Sequence, residues 1–345
     1  MLVMTGRPLL DNRADAALFT GRESELDMFD SALEHKFNCL VTGDAGMGKT
    51  SLLRALMYRA RTQIDGLAVA RKHAMTYVRA EGITSGGELL GRIARGVLGE
   101  HYSPALLSDA DATLRQLAGM REHDDRAART GSRRSLVIIV DDVTASAGHE
   151  VFGLLRDELW ELGYVWLVAA RSAERGGLLV PPTNAFFERV ITMSALSSGE
   201  ATELITKRLG EVPGAWAAEA GSVVGGNPRR LLDVAREVIA GKVPAECVLG
   251  SIADRDAAIA KLGRPEAMLA AELDALGAAA ASDDALLSRL GWTRSRAVQV
   301  FTHLEEAGLV LAEDVRSGQG RPRKVFRLIP PAKATRNRTE SGSAA

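Results

Sequence analysis

Cysteine is scarce in this 345-residue chain: only Cys39 and Cys247 are present, and neither lies in a pair spacing that would make a metal site or a redox motif. Cys39 falls in an apolar run and reads as a small core residue. Long hydrophobic stretches are missing as well, since none approaches the ~20 residues that span a bilayer. The opening Met1-Leu2-Val3-Met4-Thr5-Gly6-Arg7 has no secretory pattern, so the chain reads as cytoplasmic, with no membrane partner. Nor is one sign of charge in excess: 43 Lys and Arg meet 44 Asp and Glu, for a formal net charge of −1. The average therefore names no partner, and only the local distribution of charge can. Nuclease, protease and metal-cluster spacings are also lacking. What remains is the composition of an ordinary globular protein, 46% hydrophobic and 25% charged, long enough for two or three domains.

Against that background one segment stands out. Gly43-Asp44-Ala45-Gly46-Met47-Gly48-Lys49-Thr50 is a complete G-x-x-x-x-G-K-S/T phosphate loop. The apolar Cys39-Leu40-Val41 precedes it, and Ser51-Leu52-Leu53-Arg54-Ala55-Leu56 continues it as a helix. Glycines at these positions let the backbone wrap an anion and turn successive N–H groups toward phosphates at a helix N-terminus. Lys49 reaches the β- and γ-phosphates in this pattern, and Thr50 ligates Mg²⁺. The loop from Gly43 to Thr50, with Ser51, is the expected binding segment for a nucleoside triphosphate.

Such a loop needs an acidic partner at the end of another buried parallel strand. Leu136-Val137-Ile138-Ile139-Val140-Asp141-Asp142 supplies it: five apolar residues ending in two carboxylates, a Walker B signature. By the geometry of P-loop NTPases, Asp141 holds Mg²⁺ and Asp142 orients or deprotonates the attacking water. The two motifs together point to ATP or GTP.

The order of the remaining segments suggests an α/β fold: a parallel-sheet P-loop NTPase core, a helical lid and a C-terminal winged helix-turn-helix. Residues 1–18 are polar and irregular, and read as a flexible N-terminus. The core spans 19–194, with strands at 38–43, Ala74–Arg79, 136–142, Tyr164–Ser172 and Ile191–Met193. The lid covers 195–262; Ser197 and Glu200 have capping-box spacing at its first helix, and a break falls near Gly241–Gly263. Residues 263–330 read as three helices and a β-hairpin, and 331–345 as a disordered tail. The charged stretch 103–134 reads as an exposed helix and loop.

Taken in sequence, these motifs resemble the AAA+ and STAND branch of P-loop ATPases over about 20–240, and with the C-terminal unit the order resembles the Orc/Cdc6-like initiator ATPases. The residues carrying the likeness are Gly21-Arg22-Glu23, the Walker pair, the strand ending in Arg171, and Gly226-Asn227-Pro228-Arg229-Arg230-Leu231-Leu232. The resemblance implies ATP rather than GTP, with Arg22 and Pro228 at the nucleotide. It implies Arg171 at the sensor-1 position near the γ-phosphate and Arg229 at sensor 2, where a permanently charged planar fork engages phosphate oxygens. Two positions depart from the pattern. Asp142 stands where many AAA+ ATPases have glutamate, which favours slow hydrolysis, and the intersubunit arginine has only Arg175 and Arg189 as candidates. Assembly into a homo-oligomer is left open.

Between Gly291 and Pro330, Arg294, Arg296, Arg316, Arg321, Arg323, Lys324 and Arg327 outnumber Glu305, Glu306, Glu313 and Asp314. Arg294 and Arg296 fall in the first turn of the expected recognition helix, and Arg321, Arg323 and Lys324 on the expected wing. These five are the candidate contacts to double-stranded DNA. Two functions are thus in view: a DNA-binding ATPase controlled by nucleotide state, and a STAND-type ATP/ADP switch acting through a protein partner.

Overall fold

Val41 and its neighbours are apolar on both sides of the chain, as a strand covered on both faces requires. They form β1 (Cys39–Gly43), whose five residues are all buried. The computed structural model describes residues 7–62, 73–102, 109–128, 135–209, 216–239, 245–315 and 323–329. Around β1 stand β2 (His73–Arg79), β3 (Ser135–Asp141), β4 (Val165–Arg171) and β5 (Arg189–Thr192), all parallel, in the order β2-β3-β4-β1-β5. This is the α/β sheet of a P-loop NTPase. Strand β4 lies between the phosphate-loop strand and the carboxylate strand, and its register sets Gly43 beside Arg171.

The helices of this unit are α1 (Arg13–Ala17), α2 (Glu23–His35), α3 (Lys49–Thr62), α4 (Gly86–Leu98), α5 (Ala110–Ala128), α6 (Ala145–Gly148), α7 (Arg156–Glu161) and α8 (Arg175–Leu178). One face of the sheet presents Leu40, Val78, Ile138, Val140, Trp166 and Val168 to a core filled by Leu89, Ile93, Leu117 and Phe152. Residues of the opposite parity, including Tyr77, Ile139 and Asp141, point to the other face because side chains alternate along a strand. There β2 meets α3. Within the charged stretch 103–134, helix α5 buries Leu114 and Leu117 against the core, while 103–108 and 129–134 lie outside the described residues.

The chain divides into two compact units, 8–44 with 48–194, and 195–345 with 1–7 and 45–47. The segment expected to be a flexible N-terminus is structured from Pro8 to Leu18: Leu9 is buried and its N–H donates to Ser51 Oγ at 3.1 Å, and Asn12 caps α1 by accepting from Asp15 N at 2.9 Å. A short capped helix of five residues leaves almost no periodicity to read in a sequence.

The C-terminal unit begins with α9 (Ser198–Leu209), α10 (Trp216–Val223), α11 (Pro228–Ile239) and α12 (Ala245–Leu262). The capping box is formed, with Ser197 N and Oγ donating to Glu200 Oε2 at 2.8 and 2.7 Å. Ile205, Ala220, Leu231, Ala235 and Val248 build its core. In place of the expected break between Gly241 and Gly263, residues 245–262 form one helix; its buried Val248, Ile252 and Ile259 recur at helical spacing, a signal that Gly250 and the surrounding charges obscure. Gly226, just before α11, has φ +64°, and a Cβ there would stand 2.5 Å from Leu196 O, so only glycine fits.

Helices α13 (Arg264–Leu276), α14 (Asp284–Leu290) and α15 (Arg294–Glu306) follow, then the antiparallel pair β6 (Val310–Val315) and β7 (Arg323–Leu328). Leu269, Leu286, Val300, Phe301 and Phe326 pack together, the two phenyl rings stacked with centroids 4.3 Å apart. Ala279 and Phe326 exchange backbone hydrogen bonds at 2.9 and 2.8 Å, tying the hairpin to the turn after α13.

Candidate nucleotide site

Strand β1 ends at the phosphate loop, and α3 begins at Lys49, so the first N–H groups of that helix open on the loop. Gly46 and Gly48 hold φ of +84° and +93°, the left-handed region that glycine enters at little cost. Lys49 Nζ folds back and donates to the carbonyls of Gly43 at 2.6 Å and Asp44 at 3.1 Å. Burial lowers this ammonium to about 8, against the opposing pull of Asp142 and Asp141.

Asp141, buried at the end of β3, is the meeting point of three elements. Its Oδ2 accepts from Thr50 Oγ1 at 2.7 Å and from Tyr77 Oη at 2.6 Å. Burial and the adjoining Asp141 push the Tyr77 phenol well above its ordinary range, so the phenol is a proton donor to the carboxylate. The guanidinium of Arg54, on α3, lies 3.6 Å from the Tyr77 ring centroid. Asp142 has φ +62°, a left-handed conformation uncommon outside glycine but tolerated by aspartate. Its Oδ1 accepts from Arg171 Nε at 3.3 Å. Lys49, Thr50, Asp141, Asp142 and Arg171 are therefore gathered at the carboxyl ends of β1, β3 and β4, where open parallel sheets bind ligands.

The donor set suits Mg²⁺. Thr50 and Asp141 offer hard oxygens 2.7 Å apart, and among the described residues no group of three or more His, Cys, Asp and Glu forms a closed metal cage. A magnesium ion that keeps waters and takes phosphate oxygens needs only one or two protein ligands, a number that Thr50 and Asp141 match.

Other expected ligands are placed differently. The Arg22 guanidinium is buried and committed to the protein: Nη1 donates to Glu25 Oε1 at 3.0 Å, to Ser194 Oγ at 3.2 Å and to Ser194 O. Its side chain is a strut between α2 and the segment after β5, and its guanidinium bonds to protein rather than standing open for a ligand. Arg229 Nη1 donates to Ala275 O at 3.0 Å, so the guanidinium expected at sensor 2 is engaged by α13. Ala45–Met47 belong to the C-terminal unit, in which Asn227 Nδ2 donates to Ala45 O at 2.9 Å and Pro228 opens α11. Ser51 Oγ receives the Leu9 N–H. Tyr77 and Arg54 were not foreseen; the only local signal was an aromatic two residues before the end of a strand.

Residues 18–168 match the model of the AAA ATPase domain family. The matched stretch contains the phosphate loop, Tyr77 and both carboxylates, and it ends before Arg171. No curated protein matches the chain. Among solved structures, the chain is similar to the Orc1 protein of Aeropyrum pernix in complex with DNA, at 17% identity over 92% of both chains with a TM-score of 0.45. It is also similar to Cdc6p from Pyrobaculum aerophilum, at 14% identity, 94% and 97% coverage of the two chains and a TM-score of 0.46. The ORC2 protein of Aeropyrum pernix, as ADPNP-ADP complexes, matches at 15% identity, 94% and 95% coverage and 0.44. AAA ATPase domains use ATP with Mg²⁺. No helix among the described residues is long and apolar enough to cross a membrane.

Beyond the matched stretch, the five candidate DNA contacts differ in their engagements. Arg294 and Arg296 are exposed on the first turn of α15, which Thr293 caps by accepting from Arg296 N at 3.3 Å; neither makes an ion pair among the described residues. Arg323 pairs with Asp283 at 3.4 Å and Lys324 with Glu305 at 2.9 Å. Arg321 lies outside the described residues.

Proposed function

We propose that this protein is an ATP-hydrolysing, DNA-binding AAA+ protein whose nucleotide state controls DNA engagement or assembly. The observation that carries the ATPase half is the gathering of Lys49, Thr50, Asp141, Asp142 and Arg171 around one loop. Lys49 exchanges its carbonyl partners for phosphate oxygens, and the loop N–H groups hold the remaining charge. Thr50 and Asp141 hold Mg²⁺, which when bound neutralises phosphate charge. Asp142 receives or orients the proton of the attacking water, and Arg171 offers its guanidinium to the charge that develops on the γ-phosphate.

A pH dependence follows from Lys49. Its charged form is the one that pairs with phosphate, and that form is lost as pH rises through about 8. Affinity for ATP is expected to hold below that value and to fall roughly tenfold for each further unit. Calorimetric titrations from pH 6.5 to 9.5 read the effect, and a flat profile would contradict it.

For DNA, the support is the placement of Arg294 and Arg296 at the exposed N-terminal turn of α15, in a three-helix and hairpin unit that we read as a winged helix. Because Arg323 and Lys324 are already paired with carboxylates, they contribute less. An Arg294→Ala/Arg296→Ala variant should bind duplex DNA at least about tenfold more weakly, and an Arg323→Ala/Lys324→Ala variant less so. The assay is fluorescence anisotropy with no nucleotide, ADP or a non-hydrolysable ATP analogue, at two salt concentrations. Binding should weaken steeply with salt. Absence of binding in every state would sink the DNA reading.

One observation favours the second reading, a STAND-type switch: the Asp142 carboxylate is engaged by Arg171, which suits slow turnover and a long-lived nucleotide. Retained ADP after purification, negligible turnover and no DNA binding would favour it.

A further inference from the structure

The phenol of Tyr77 hydrogen-bonds the magnesium-holding aspartate, and this contact lies outside the loop and carboxylate motifs. We infer that Tyr77 is a positioning residue that fixes Asp141 for recognition of the magnesium–nucleotide complex, an inference that rests on the reading of this site as a magnesium–ATP site.

The geometry carries the argument. In the β2–β3 register Arg79 is beside Asp141 and Tyr77 beside Ile139. Tyr77 and Asp141 therefore share a sheet face on adjacent strands, two residues out of step, a diagonal that a long aromatic side chain can cross. The phenol reaches Asp141 Oδ2 at 2.6 Å, the same oxygen that Thr50 Oγ1 meets at 2.7 Å. One carboxylate oxygen is thus held by two hydroxyls, one from α3 and one from β2, which fixes the plane of the group. Arg54 holds the other end of the device: it stands one helical turn after Thr50 on α3, with its guanidinium over the Tyr77 ring. Helix α3 thereby supplies the Thr50 hydroxyl and also orients the ring that steadies the acid Thr50 touches. Groups that orient a metal ligand typically change metal affinity by about 10- to 100-fold when removed.

The test uses the full chain and its Tyr77→Phe variant, which keeps the ring beneath Arg54 and removes only the hydroxyl. Binding of a ribose-labelled fluorescent ATP is measured in EDTA and across a magnesium titration, with thermal melting in EDTA as a check on folding. The magnesium concentration for half-maximal binding should rise about tenfold in Tyr77→Phe, while affinity in EDTA changes by less than about twofold. An unchanged magnesium midpoint would overturn the role of Tyr77 and leave the site reading intact. Equal loss of affinity in EDTA and in magnesium would also overturn it, because that marks a general structural effect. A wild-type chain whose nucleotide binding ignores magnesium would remove both this inference and the reading beneath it.

Discussion

Replacing Asp142 by Asn is expected to lower ATP turnover by about 100-fold or more while leaving ATP binding nearly unchanged. The substitution keeps the size of the side chain and removes its charge and basicity. It also suits the backbone, since asparagine tolerates the left-handed φ of +62° at this position. What it removes is the anion that Arg171 engages at 3.3 Å and the carboxylate proposed to take a proton from water. Arg171 is anchored independently through β4, whose register fixes it beside Gly43, so it remains near the loop when its partner is neutral. Single-turnover hydrolysis of radiolabelled ATP separates chemistry from product release. Retention of more than about a tenth of wild-type turnover would show that Asp142 is not the base.

The second large effect concerns stability. Arg22→Ala should destabilise the core unit by about 3–5 kcal/mol, the usual cost of leaving one member of a buried pair without its partner. Both Arg22 and Glu25 are buried, and Arg22 bridges α2 to Ser194 beyond β5, so its loss leaves the Glu25 carboxylate and the Ser194 carbonyl short of a donor together. Urea melts of Arg22→Ala, Glu25→Ala and the double variant resolve the pair, and the double variant should be less damaged than the sum of the singles. A cost below about 1 kcal/mol for Arg22→Ala would place the pair among weak surface bridges. The acid limb gives an independent reading. Burial drives Glu25 upward, but hydrogen bonds from Ser194 and Ser24 outweigh it and hold the group at about 2, below its ordinary 4.5. The carboxylate therefore contributes stability above pH 4.5, and that contribution is lost as pH falls toward 2.

Local features of this protein were legible before its structure. The phosphate loop, the apolar run ending in Asp141 and Asp142, and the Ser197–Glu200 capping box each declare themselves within a few residues, because one stretch of chain does the physical work. The buried strands β1, β3 and β4 are likewise readable as short apolar runs between turns. Helix α12 was hidden by Gly250 and by charges among its buried positions, and α1 by its brevity. Arg22 shows a different limit. An arginine beside a glycine at a helix start says nothing of Ser194, which the sheet brings to it from far along the chain. Tyr77 is hidden for the same reason: its role depends on the register between β2 and β3, which no short window contains.

The sheet order also bears on how such a site can diverge. Arg171 rides on β4, which is hydrogen-bonded along both sides, so altering its position means re-laying the strands that carry both motifs. Tyr77 rides on β2, which among the described residues stands at the end of the sheet and answers to one neighbour. The arginine is therefore a fixed part of the apparatus, whereas the phenol sits where drift is cheapest, a dial by which descendants of one fold can retune the same acid without rebuilding the frame around it.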